Sequence, residues 1–147
     1  ANYTKKFYGP STLRLGIEKS RNLMTVRLAQ YIGMDSVVDY ARRFELVDDM
    51  PRLLSMALGA GETTLLRLTT AYAMFVNGGK KIVPTVLDRI QDRRGKTVYR
   101  HDKRLCPGCQ NIRWHRPTEP QILDARPRII EASTAYQVVS MLFLQIL

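Results

Sequence analysis

Apolar residues return at helical spacing in several short segments of this chain, separated by polar or glycine-containing breaks. Ser11 or Thr12 can cap a first short helix running to Lys19, since either hydroxyl can accept from the unpaired N–H groups of a first turn. Ser20-Arg21-Asn22 interrupts it. Met24, Leu28, Tyr31 and Ile32 then fall at i, i+4, i+7 and i+8, one face of a second helix that Gly33 would end. Asp35 can cap a third helix over "SVVDYARRF". After the Gly-x-Gly of "LLSMALGAGETT", Leu65, Leu68, Tyr72, Phe75 and Val76 form the stripe of a helix expected in the core, stopped by Asn77-Gly78-Gly79.

The texture changes at Val83. "IVPTVLDRIQD" and "KTVYR" flank "RRG" and predict two strands around a tight turn. Residues 101–128 hold four prolines and both cysteines and read as irregular, while "ASTAYQVVSMLFLQIL" predicts a last helix capped by Ser133 or Thr134. The pattern divides the chain into a helical part (11–78), a hairpin (82–100), a Cys-containing irregular segment (101–128) and a terminal helix (131–147).

Composition changes this picture little. With 147 residues, 45% hydrophobic and 24% charged, the chain has the texture of one soluble globular domain. No apolar run approaches the roughly 20 residues of a membrane span, so none is expected here, and the start "ANYTKKFYGP" has no signal-peptide core. The net charge of +10 is more informative, because it admits an anionic partner such as nucleic acid, acidic lipid or a cell-wall polymer. Residues 89–104 carry seven basic and two acidic side chains, for which a solvated hairpin is the leading explanation and a dedicated anion site the other.

Two constellations could carry chemistry. Ser20-Arg21-Asn22 has only two informative positions as a Ser-x-Asn motif, and either polar residue could simply cap the second helix. Cys106 and Cys109 flank a Pro-Gly turn that brings their sulfurs close. With His101 and His115 they also make four ligands of the right class for tetrahedral zinc, at a spacing unlike the common zinc patterns. A basic module organised by that set and contacting nucleic acid is the alternative reading, and it predicts bound zinc and strong salt dependence.

The segments "GPSTLRLGIEKSRNLMTVRLAQYIG", "ARRF", "LSMALGAGETTLLRLTTAYAMFVNGG", "IVPTVLDRIQDRRGKTVYR" and "STAYQVVSML" together resemble the transpeptidase domain of class A, bifunctional penicillin-binding proteins. The resemblance implies an α/β fold of the penicillin-binding protein and serine β-lactamase type, here a mainly helical fragment with a β hairpin and an incomplete sheet. Enzymes of this kind use Ser-x-x-Lys, Ser-x-Asn and Lys-Thr-Gly. By resemblance Ser20 and Asn22 form the second motif, Ser20 as the proton shuttle and Asn22 as a hydrogen-bonding partner of the substrate peptide. Residues three beyond the serines at 11, 20, 36, 55, 133 and 140 are never lysine, and Lys96-Thr97 is followed by Val98. The first and third motifs are therefore expected elsewhere in a parent protein, and the chain alone is expected to be inactive.

For that parent the resemblance implies acyl transfer on D-Ala-D-Ala stem peptides of peptidoglycan and trapping by β-lactams. It implies no cofactor, no metal and no nucleic acid, with a location in the periplasm or on the outer face of the inner membrane. In that compartment a Cys106–Cys109 disulfide is the leading expectation. An unpaired sheet edge would let such a fragment self-associate. Three features depart from the family pattern or bear no chemistry in it. Thr64 precedes Leu65 where the family places proline, "FLQIL" follows "SML", and Gly59, Gly61 and Glu62 match a family loop mainly as turn-formers.

Overall fold

The computed structural model describes residues 8–104, 106, 109 and 122–143. Five α-helices are present among them: α1 (Leu13–Glu18), α2 (Asn22–Ile32), α3 (Met34–Arg43), α4 (Leu65–Val76) and α5 (Ala132–Phe143). A 3-10 helix (Leu54–Leu58) precedes Gly59, and strands β1 (Arg89–Gln91) and β2 (Thr97–Arg100) pair antiparallel. The chain separates into two compact units, the first of residues 1–82 and 128–147, the second of residues 83–127.

Local chemistry sets most helix boundaries in the first unit. Thr12 caps α1 by accepting from the Leu15 N–H, and Thr64 caps α4 by accepting from the Arg67 N–H. Gly33, at a φ of 85°, is both the end of α2 and the start of α3, so Asp35 does not cap α3. Asp35 instead sits in the first turn, where a carboxylate favours the positive end of the helix, and it pairs with Arg52. Likewise α5 begins at Ala132, which places Ser133 and Thr134 inside the helix rather than at its cap. Residues 144–147 of the expected terminal helix lie outside the described residues.

The core of this unit gathers Phe44, Ala71, Met74 and Ile129, with Leu46, Phe75, Ile82 and Ile130 packed around them. Met74 is fully buried, and the rings of Phe44 and Phe75 stack with centroids 4.6 Å apart. Against expectation, α4 turns Thr70, Ala71 and Met74 inward, while Leu65, Leu68, Tyr72 and Val76 are exposed. The stripe of large side chains and the buried stripe differ because Ala71 and Met74 face Phe44 and Ile129 in the core. The predicted face of α2 is also largely uncovered: Tyr31 is 89% exposed and Ala29 is the buried residue.

In the second unit the regular hairpin is shorter than the expected 82–100. Residues 83–88 run without strand pairing, and the ladder starts at Arg89. Arg89 pairs with Arg100, Ile90 with Tyr99 and Gln91 with Thr97, with a bulge at Val98. Gly95, at a φ of 78°, closes the turn, and the Asp92 carboxylate accepts from the backbone N–H groups of Arg94 and Lys96.

Candidate functional site

The Ser-x-Asn motif occupies the junction of α1 and α2, and its backbone is fixed by the way α1 ends. Lys19 is the last cap residue of α1. Beyond it the Ser20 N–H donates to the Ile17 carbonyl at 2.9 Å and the Arg21 N–H reaches back to the Gly16 carbonyl at 2.8 Å. This is the crossed pair of bonds of a Schellman motif, which requires a left-handed residue between them. Ser20 takes that conformation with a φ of 49°.

Glycine is the inexpensive residue for such a position, because a side chain there costs about 1–2 kcal/mol. The same device ends α4 with a glycine: Gly78, at 68°, donates to Phe75, and Gly79 donates to Met74. It ends α3 with Glu45, at 55°. Ser20 and Glu45 are the two non-glycine residues with positive φ among the described residues. A serine held where glycine would be cheaper is an outlier from which a functional hypothesis can be drawn.

The local alternative for this triplet was helix capping, and the geometry does not provide it. The cap residue of α2 is Arg21, no side chain caps that helix, and Asn22 is already its first helical residue. Ser20 and Asn22 are both exposed. Ser20 and Asn22 thus flank Arg21 on a tight turn with no hydrogen bond of their own side chains to the helix end. A hydroxyl and a carboxamide so placed can each exchange hydrogen bonds with a peptide lying over the loop.

Supports for the loop come from residues that the motif does not include. Gly16 is buried, and a Cβ there would meet the Met24 side chain at 2.9 Å, so glycine lets α1 and α2 approach through Met24. Arg14 donates to the backbone carbonyl of Ser140 at 3.3 Å and to its hydroxyl at 3.4 Å, and lies 3.8 Å from Glu18, tying α1 to α5. One oxygen of Glu18 is buried without a hydrogen-bond partner. The sequence signal for these roles is thin: a glycine inside a six-residue helix, where propensity disfavours it, was the one clue available. The Arg21 guanidinium lies over the Tyr8 ring, 3.6 Å from its centroid. Beside it a cleft of about 390 Å³ is lined by Tyr8, Pro10, Arg21, Met24 and Arg27 among others.

Cys106 and Cys109 form a disulfide with their Cα atoms 5.5 Å apart, and the Cys109 N–H donates to the Cys106 carbonyl at 3.2 Å. His101 places its Nε2 3.2 Å from the Val83 carbonyl, and His115 lies outside the described residues. Among the described residues no group of three His, Cys, Asp or Glu side chains is placed to hold a metal ion. Gly59 has a φ of 82°, in the left-handed region, at the end of the 3-10 helix; Gly61 and Glu62 are exposed. Lys96 and Thr97 stand at the hairpin turn and the start of β2, in the unit that does not contain Ser20 and Asn22. No described helix is long and apolar enough to cross a membrane.

Residues 1–144 match the family described as penicillin binding protein transpeptidase domain. The chain is 43% identical over 145 residues to penicillin-binding protein 1A of Rickettsia bellii, covering 96% of this chain and 18% of that protein. It is 37% identical over 99 residues to penicillin-binding protein 1A of Pseudomonas aeruginosa, covering 67% of this chain and 12% of that protein. In structure it is similar to penicillin-binding protein 1A of Haemophilus influenzae, with a TM-score of 0.73 at 25% identity over 95% of this chain and 22% of that one. The mainly helical arrangement and the two-stranded sheet of the described residues correspond to part of that larger fold.

Proposed function

The chain belongs to the penicillin-binding protein transpeptidase domain family, and from that premise we propose that it is the Ser-x-Asn-bearing portion of a serine D,D-transpeptidase. Its parent takes a D-Ala-D-Ala stem peptide of peptidoglycan, forms an acyl-enzyme with loss of the last D-Ala, and passes the acyl group to a neighbouring peptide amine. β-Lactams enter the same site as acylating mimics. The nucleophile of Ser-x-x-Lys and the strand bearing Lys-Thr-Gly come from the rest of that parent, which acts on the outer face of the inner membrane.

Within this division of labour, the residues of this chain hold the substrate and move a proton. Acylation expels an amine, and the amine must receive a proton as the C–N bond breaks. The Ser20 hydroxyl gives that proton to the leaving nitrogen and is replenished from the nucleophile's side of the site. Asn22 uses its carboxamide to hold the stem-peptide amide in register, so that the scissile carbonyl stays in line with attack. Neither residue forms the covalent bond. The single observation that supports these roles is the left-handed Ser20 between Gly16 and Arg21, which presents a hydroxyl at a turn where capping does not need one.

Intact mass spectrometry with a labelled penicillin tests the division. The full-length parent gains one adduct per molecule, and the 147-residue chain gains none. A stoichiometric adduct on a serine of the isolated chain would overturn the proposal.

A further inference from the structure

The hairpin of the second unit carries its positive charge in an arrangement that folding alone does not explain. Arg89 on β1 and Arg100 on β2 are direct cross-strand partners, and like charges in that relation destabilise a ladder. Both strands are exposed along their whole length, so the pair is not compensated by burial of the ribbon. Arg93, Arg94 and Lys96 crowd the turn.

The nearby carboxylates are already engaged. Asp88 pairs with Arg89, Asp102 pairs with Arg104, and Asp92 accepts from the backbone of the turn. Arg93, Arg94, Lys96, Arg100 and Lys103 make no ion pair with a described residue. The Asp92 bonds shape the turn that carries Arg93 and Arg94, both of which are exposed. From Arg89 to Gln91 the strand extends about 7 Å at strand rise, with the Arg93-Arg94 turn beyond it. Cations therefore stand at both ends of a narrow exposed strip.

We propose that this strip, Arg89, Arg93, Arg94, Lys96 and Arg100, binds a carboxylate-bearing polymer, the glycan–peptide strand on which the parent acts. This inference rests on the transpeptidase reading, and it adds a surface for the polymer outside the unit that holds Ser20 and Asn22. The guanidinium fork matches a carboxylate with two parallel hydrogen bonds, and a linear array suits a chain with repeated charges better than one small anion. An anionic bilayer fits less well. The tip residues Arg93, Arg94, Gly95 and Lys96 include no apolar side chain to enter lipid, and Ile90, Val98 and Tyr99 lie back along the strands.

The test uses the full-length protein containing this chain and the triple variant R93E/R94E/K96E, with R89Q/R100Q as a second variant. Each is assayed for sedimentation with purified peptidoglycan sacculi, with sacculi whose carboxylates have been amidated, and with phosphatidylglycerol vesicles. Acylation by a fluorescent penicillin is read in parallel. The wild type should bind untreated sacculi in a salt-sensitive way, with about tenfold or greater weakening in the triple variant and on amidated sacculi. R89Q/R100Q should weaken binding in the same direction, and all proteins should acylate normally. Undiminished binding by the triple variant, equal binding to amidated sacculi, or a preference for the vesicles would overturn the inference while leaving acylation as the separate test of the transpeptidase reading.

Discussion

The Arg21 N–H reaches back across the end of α1 to the Gly16 carbonyl at 2.8 Å, and this bond fixes Ser20 between them in the left-handed region at a φ of 49°. Stability and activity pull in opposite directions at such a residue. Ser20→Gly relieves the side-chain cost and should leave the melting temperature unchanged or raise stability by up to about 1 kcal/mol. The same variant removes the hydroxyl and should slow penicillin acylation of the full-length protein by about 10²–10⁴-fold. Thermal melting and stopped-flow acylation on one preparation decide it; a variant that is both less stable and fully active would contradict the account.

Gly79 provides a purely structural counterpart. Its carbonyl accepts from the N–H groups of Ile129 and Ile130, and a Cβ on it would fall 2.2 Å from the Ile130 carbonyl oxygen. At Gly78, also at positive φ, a Cβ would meet open space. Gly78→Ala should therefore cost only the left-handed penalty of about 1–2 kcal/mol. Gly79→Ala must also displace the Ile129-Ile130 segment that seats Ile129 in the core, and should cost more than about 2 kcal/mol. Equal melting temperatures for the two variants would refute this packing.

Cys106 and Cys109 are joined by a disulfide at a sequence separation of 3. Protein isolated without reductant from an oxidising compartment should show no free thiol at these positions and no bound zinc. Thiol counting with metal analysis checks this. Two free thiols with one zinc per chain would favour the metal-organised alternative.

What could be read from the sequence was local. A cap at Ser11 or Thr12, Gly33 and Gly78-Gly79 as stops, and the "RRG" turn each follow from the backbone preferences of a few residues. What failed depends on partners distant in the chain. Leu65, Tyr72 and Val76 look like a core stripe, yet Ala71 and Met74 are buried because Phe44 and Ile129 lie on their side. The chain spans 18% of the length of the Rickettsia bellii relative, so periodicity cannot say which apolar faces the described residues cover. The Ser-x-Asn motif was visible as residue types, whereas the left-handed turn at Ser20 was not, since glycine is the usual marker of that conformation and serine conceals it.

The central claim is that Ser20-Arg21-Asn22 is chemical machinery and not a helix cap, and Asn22→Ala in the full-length protein tests it most directly. The measurement is the second-order rate constant for acylation by a fluorescent penicillin, normalised to folded protein and accompanied by the melting temperature. Asn22 makes no cap to α2, so the account predicts an essentially unchanged melting temperature and acylation slowed by about 10²-fold as the reacting amide loses its register. A stability loss of about 0.5–2 kcal/mol, as a lost cap would give, with normal acylation of the folded variant would contradict it.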